Sequence, residues 1–194
     1  MSELQERVRS DYKKILESPE ESLVTVTNSA DTMSASVGYP PEELALVPEE
    51  ANLGLGCGNP IPAANLKERE IVVDLGAGPG LDCFLAGVKV GRRGRAIGVD
   101  MTPEMVETAR KTAKNHKIRN VEFRLGEIEY LPVANDYADV CISNCVINLS
   151  ANKGQVYREI FRVLKPGGRV SICDIVIMNE LPEDMKQDEA MHSC

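Results

Sequence analysis

The stretch Glu70-Ile-Val-Val-Asp74-Leu-Gly76-Ala77-Gly78-Pro-Gly80, with Arg95-Ala-Ile-Gly-Val-Asp100-Met101 behind it, decides the fold. An apolar run from Ile71 to Leu75 stops at three glycines and resumes with helical character at Leu81. A second apolar run then closes on Asp100. The order is strand, glycine turn, helix, strand, acid, which is that of a βαβ unit. Glycines at such a turn take up backbone conformations that side chains forbid and let the chain lie against a ligand. The helix that follows aims its free N–H groups at an anion. An acid about twenty residues past the last glycine sits where a carboxylate accepts both hydroxyls of a ribose.

Spacing narrows the choice of ligand. A dinucleotide fingerprint needs its third glycine three residues after the second, where the pyrophosphate crowds the helix, but Leu81 occupies that position and Pro79 fills the turn. Asp74, just before the glycines, would repel a pyrophosphate yet could bind an ammonium group. S-adenosylmethionine offers an ammonium, a carboxylate and a ribose. The competing reading is a glycine turn in an unrelated α/β protein. The stretch resembles motif I of the class I S-adenosylmethionine-dependent methyltransferases, which implies cofactor contacts from Asp74, Gly76, Ala77, Gly78, Gly80 and Asp100.

Further along, Thr102 and Pro103 form an N-cap and N1 pair, and Met105, Val106, Ala109 and Ala113 follow at helical spacing until about His116. His116, in Lys-Asn-His-Lys, reads as a solvated surface group. A third strand is expected at residues 121–125 and a fourth at 137–146. A helix is expected at 153–164, stopped by Lys165-Pro166-Gly167-Gly168, then a fifth strand at 169–178 and a last helix at 182–194. Strands alternating with helices imply an α/β, doubly wound, Rossmann-like parallel sheet of order 3-2-1-4-5. The methyltransferases it resembles carry two further strands. Without them, residues 171–177 would form an exposed apolar edge. The expectation is a fragment, or a partner that covers the edge, such as an edge-strand dimer through residues 171–177.

Toward the N-terminus, Leu4, Val8, Tyr12, Ile15 and Leu16 give residues 3–17 an amphipathic helix, expected to pack over the ligand cleft. Residues 18–53 read as irregular and acidic, a lid or linker with one short helix at 41–45.

The 194 residues are one domain's length, and 43% hydrophobic content suits a soluble globular chain. A formal charge of -8 and a pI near 4.9 weigh against nucleic acid or an anionic membrane as partner. The cluster Lys89, Arg92, Arg93 and Arg95 reads as a solvated loop. No leader segment or eighteen-residue apolar run is visible, so a cytoplasmic address is expected. There the six cysteines should be reduced thiols, and none of them forms a C-x-x-C pair.

Two cysteines stand apart from the others. Cys57, between Gly56 and Gly58, lies outside any periodic apolar element and should be accessible, unlike the usual buried cysteine. Cys145 follows Ser143-Asn144 at the carboxyl end of the fourth strand, where ligands bind in an open α/β sheet. Cys141 and Cys173 read as core residues.

Asp74-Leu-Gly-Ala-Gly-Pro-Gly-Leu-Asp-Cys, Gly98-Val-Asp-Met-Thr, Gly126-Glu-Ile-Glu and Ser143-Asn-Cys-Val-Ile-Asn-Leu occur in order, and with Gly-Leu-Gly-Cys57-Gly-Asn-Pro they resemble the arsenite S-adenosylmethionine methyltransferases from about Gly54 onward. That resemblance implies trivalent arsenic bound by Cys57, Cys145 and Cys194. It adds Met101, Glu127, Ile128 and Asn144 to the cofactor contacts, with Met101 and the Glu127-Ile128 pair on either side of the adenine. It also implies arsenite or its thiol conjugates as substrate and a thiol reductant as partner. Residues 1–53 then form an N-terminal helix and linker, and residues 54–194 the S-adenosylmethionine-binding domain with the start of the arsenic-binding region. No cysteine occurs before Cys57, where the family often has one or two.

The chemistry is consistent with this. Oxygen or nitrogen nucleophiles usually need a base, and the two histidines, His116 and His192, lie outside cleft-like contexts. Arsenic(III) carries its own lone pair and, as a soft centre, binds best to thiolates. The alternatives are a quinone- or sterol-type methyltransferase, a module that binds cofactor or metalloid without turnover, and a structural or regulatory protein that kept only the fold.

Overall fold

A computed structural model describes residues 3–17 and 29–176. The expected last helix, Cys194, and the end of the expected fifth strand lie outside these residues. Five parallel strands form one sheet: β1 (Ile71–Leu75), β2 (Arg95–Asp100), β3 (Val121–Leu125), β4 (Ala138–Asn144) and β5 (Leu164–Cys173), in the order β3-β2-β1-β4-β5. This is the expected order. Alternation along each strand sends Val72, Ala96, Val140 and Ile142 to one face and Val73, Leu75, Ile97, Val99 and Cys141 to the other. Both faces are apolar because helices cover both. Helices α4 (Pro60–Ala64), α5 (Leu81–Val90) and α6 (Pro103–Asn115) contribute to the first core, and α7 (Lys153–Val163) to the second.

The N-terminal helix α1 (Glu3–Glu17) forms as expected and buries Val8. The next segment is more ordered than its composition suggests. Beside the expected short helix α3 (Pro41–Leu44), it holds α2 (Ala30–Ser36), capped by the Ser29 hydroxyl accepting from the Thr32 N–H, and a 3-10 turn at Glu49–Ala51. Tyr39 and Ala51 from this segment are part of the first core. Lys89 and Arg95 are also tied down, Lys89 to Glu43 at 2.6 Å and Arg95 to Glu122 at 3.4 Å.

The fifth strand starts and ends earlier than expected. It pairs Ala138 with Leu164, jumps in register, and resumes with Val140 opposite Arg169. Lys165-Pro166-Gly167-Gly168 is therefore a bulge inside β5, with Gly167 at φ 83°, and not the turn before it. The strand ends at Cys173, which brings Asp174 to the carboxyl edge of the sheet.

Candidate active site

The glycine turn joins β1 to α5. Gly80 caps α5 at φ 109°, and a Cβ there would lie 2.7 Å from the Phe123 ring, so this glycine serves packing and does not line the cleft. The N–H groups of the turn's glycines are engaged within the protein. Gly76 and Ala77 both donate to the Val99 carbonyl, Gly78 donates to the Asp100 carboxylate at 2.9 Å, and Gly80 donates to the Ala77 carbonyl. In an anion's place the turn presents carboxylates.

The cleft beside it measures about 1060 Å³ including its open mouth. Asp74, Asp82 and Asp100 line it, with Gly76, Ala77, Gly78, Met101, Ile128 and Asn144 from the expected set. Gly126 and Glu129 line it too, whereas Glu127 is not part of the wall. Val8 and Tyr12 of α1 close one side, as expected for a helix packed over the cleft. Asp74 is 2% exposed and its Oδ2 has no hydrogen-bond partner. Burial, then the neighbouring Asp82 and Asp100, push its carboxyl well above the usual range, against one hydrogen bond from the Cys83 N–H. Burial also raises Asp82, to about 6, although Tyr39 and Asn144 donate to it. Asp100 is raised by burial too, moderated by hydrogen bonds from the Thr102 and Gly78 N–H groups.

Asn144, at the end of β4, joins this cleft to the cysteine loop. Its amide nitrogen lies 2.7 Å from the Gly58 carbonyl, 2.8 Å from the Tyr39 hydroxyl and 3.1 Å from Asp82 Oδ2. Its carbonyl accepts from the Cys57 N–H at 3.1 Å. Tyr39 in turn donates to Asp82 Oδ1 at 2.6 Å. Burial, with Asp82 next, holds the Tyr39 phenol in its neutral form.

Cys57 and Cys145, 88 residues apart in sequence, meet at the rim with Cα atoms 5.8 Å apart and are joined as a disulfide. This corrects the expectation that all the cysteines are reduced. The loop that follows the 3-10 turn at Glu49–Ala51 and the end of β4 bring the two sulfurs together. Cys145 takes a left-handed conformation (φ 56°), and its N–H donates to the Cys173 carbonyl at 2.8 Å. Cys141 is buried core, as expected, with its thiol pushed by burial to about 12. Cys173 is only half-buried and does not belong to the core. It lies against Gly58, where a Cβ would come within 2.9 Å of its sulfur, and burial, Asp82 and Asp174 raise its thiol. His116 is a surface group, 3.4 Å from Glu50, as its context suggests. Among the described residues no helix is long and apolar enough to cross a membrane.

Sequence reasoning left Tyr39, Asp82, Cys173 and Asp174 out of the site. Asp82 stood inside the quoted glycine motif without a role, and Tyr39 stood before two prolines in a segment read as irregular.

An open parallel sheet of this order, with its cleft beyond the carboxyl ends of the strands and an acid closing β2, defines a Rossmann-like methyltransferase. The chain belongs to the methyltransferase domain family, whose model matches residues 66–194. Among its curated relatives, an arsenite methyltransferase of Halobacterium salinarum is 50% identical over 83% of this chain and 41% of its own length. The arsenite methyltransferase of Homo sapiens is 36% identical over 98% of this chain and 52% of its own length. Among solved structures, an arsenic(III) S-adenosylmethionine methyltransferase from Chlamydomonas reinhardtii superposes with TM-score 0.64 at 37% identity, covering 84% of this chain and 54% of that one. The chain spans about half the length of the arsenite methyltransferases it matches.

Proposed function

We propose that the chain is the cofactor-binding part of an arsenite methyltransferase, which uses S-adenosylmethionine to methylate trivalent arsenic held by Cys57 and Cys145. The observation that carries this is the convergence of two loop cysteines, far apart in sequence, on the rim of a cleft walled by carboxylates. The relatives' names supply the metalloid and the cofactor.

The cleft suits S-adenosylmethionine by its chemistry. Asp74 offers a buried carboxylate oxygen without a partner, which an ammonium would satisfy. Asp100, oriented by two backbone N–H groups, is the acceptor for ribose hydroxyls. Met101 and Ile128 supply apolar surface for the adenine. A pyrophosphate would meet the carboxylates of Asp74, Asp82 and Asp100 and a turn whose glycine N–H groups are already engaged. When bound, S-adenosylmethionine supplies an electrophilic methyl group on a sulfonium.

The protein's own task is then to hold the nucleophile in line. In the reduced form Cys57 and Cys145 bind arsenic through sulfur and leave its lone pair free. A thiol reductant must first open the disulfide. Cys194, outside the described residues, is the third thiolate that the resemblance implies. Asn144 couples the two halves, since one side chain orients the Cys57 loop and contacts Asp82 in the cleft. A cytoplasmic address fits the need for reduced thiols.

Calorimetric titration of the reduced chain with arsenite, with and without S-adenosylmethionine, tests this against a Cys57→Ser/Cys145→Ser control. Arsenite binding should be lost in the control while cofactor affinity stays within about twofold. Arsenite binding that survives in the control would refute the site.

A further inference from the structure

Asp174 has no role in the reaction above, yet its carboxylate stands beside the sulfurs of both Cys57 and Cys145. Its carboxylate and the two sulfurs lie within 4.8 Å of one another. Both of its oxygens are oriented by backbone: Oδ2 accepts from the Asn148 N–H at 3.2 Å and Oδ1 from the Ile175 N–H at 3.1 Å. The hydrogen bond from the Cys145 N–H to the Cys173 carbonyl, at 2.8 Å, ties this strand end to the cysteine loop. Three segments, the loop around Cys57, the end of β4 and the end of β5, thus bring two soft donors and one oxygen acceptor to one point.

We propose that Asp174 makes the site selective for arsenic(III) that still carries a hydroxyl, so that it captures arsenite in preference to methylarsonous acid. This rests on the arsenic reading above. When arsenite, As(OH)3, meets the reduced pair, two S–As bonds form and two As–O bonds break. The two thiol protons leave with the displaced hydroxides as two molecules of water. Until a third thiolate such as Cys194 displaces it, one hydroxyl remains on arsenic, and it is a donor. A carboxylate facing it accepts a charge-assisted hydrogen bond. Methylarsonous acid, captured by the same two thiols, gives up both of its hydroxyls and turns a methyl group to the carboxylate. That arrangement offers no donor and strips solvent from an acceptor. The site therefore disfavours the product of a single methylation at the capture step.

The test titrates the reduced chain carrying Cys194→Ser, so that this thiol cannot take the third position. Arsenite and methylarsonous acid are titrated in turn, with Asp174→Ala and Asp174→Asn added to the same background. Asp174→Ala should weaken arsenite about ten- to a hundredfold and change methylarsonous acid by less than about threefold. Asp174→Asn keeps an acceptor oxygen and should recover part of the lost arsenite affinity. Equal weakening of both arsenicals by Asp174→Ala, or no effect on either, overturns the proposal. So does a Cys194→Ser parent that no longer binds arsenite. If arsenite binding persists in Cys57→Ser/Cys145→Ser, the thiol site is wrong and the role of Asp174 falls with it. If that control loses binding while Asp174→Ala is silent, the thiol site stands and only the role of Asp174 is lost.

Discussion

Asn144 joins the Cys57 loop to the cleft through a single side chain, donating toward Gly58, Tyr39 and Asp82 and accepting from Cys57. Removing it strands buried groups on both sides. Asn144→Ala should cost about 1–3 kcal/mol of stability in denaturant titration and weaken arsenite about tenfold or more, because Cys57 loses its anchor. If stability falls but arsenite affinity does not, Asn144 supports the fold without organising the thiols. Tyr39→Phe is a finer probe, since it keeps the ring in the core and deletes only the O–H that Asp82 accepts at 2.6 Å. That hydrogen bond favours the ionised carboxylate, so its loss should move the Asp82 pKa upward from about 6. Carbon-detected NMR titration of the carboxyl would read the shift, and an unchanged midpoint would show that the Tyr39 hydrogen bond does not set it.

The glycine turn and the fifth strand show what was legible in the sequence at the level of elements. Strand, turn, helix and acid between Glu70 and Asp100 could be read directly because an apolar run, three glycines and a terminal acid each have one economical geometry. The sheet order followed from alternation and handedness. The end of β5 did not. Pro166-Gly167-Gly168 has the composition of a turn, and only pairing with β4 shows that the chain bulges there and continues. Placing the strand about five residues late turned Cys173 into a core residue and Asp174 into a mid-strand one. Both in fact stand at the carboxyl edge where sites form. Tyr39 was missed for a different reason, as its partner Asp82 is 43 residues away and nothing local announces the contact. The turn itself carries a stability prediction. At φ 109°, with the Phe123 ring where a methyl group would go, Gly80→Ala should cost roughly 1–3 kcal/mol. Equilibrium denaturation would measure this, and a cost near zero would mean that the turn relaxes freely.

Across the whole molecule, the fold retains Asp74, Asp82 and Asp100 on one cleft at a cost that varies with pH. Asp74 is raised well above its usual value by burial and by Asp82 and Asp100, and Asp82 has its carboxyl raised from 3.8 to about 6 by burial. The folded state therefore binds more protons than the unfolded chain between these values. The stability from this group is fully present below pH 3.8 and is lost as pH rises through 6, and for Asp82 the loss is roughly 2–3 kcal/mol. Glu70, Glu122, Asp139 and Glu159 have the opposite sign. Each is held below its usual range by a basic partner, Arg169, Arg124, Lys165 and Arg162 respectively, and contributes stability that is lost as pH falls. The sum in the free protein need not reveal the cleft, but the difference between free and ligand-bound protein does, because those four groups lie outside the cleft wall and cancel. A cation entering beside Asp74 and Asp82 favours their ionised forms, so S-adenosylmethionine affinity should rise between pH 5 and pH 7, with protons released on binding near pH 5.5. Calorimetry in two buffers of different ionisation enthalpy would count those protons. Asp82→Asn should flatten the profile and reduce the release. A cofactor affinity independent of pH across this range would mean that the ammonium is bound elsewhere and that the buried oxygen of Asp74 is not its partner.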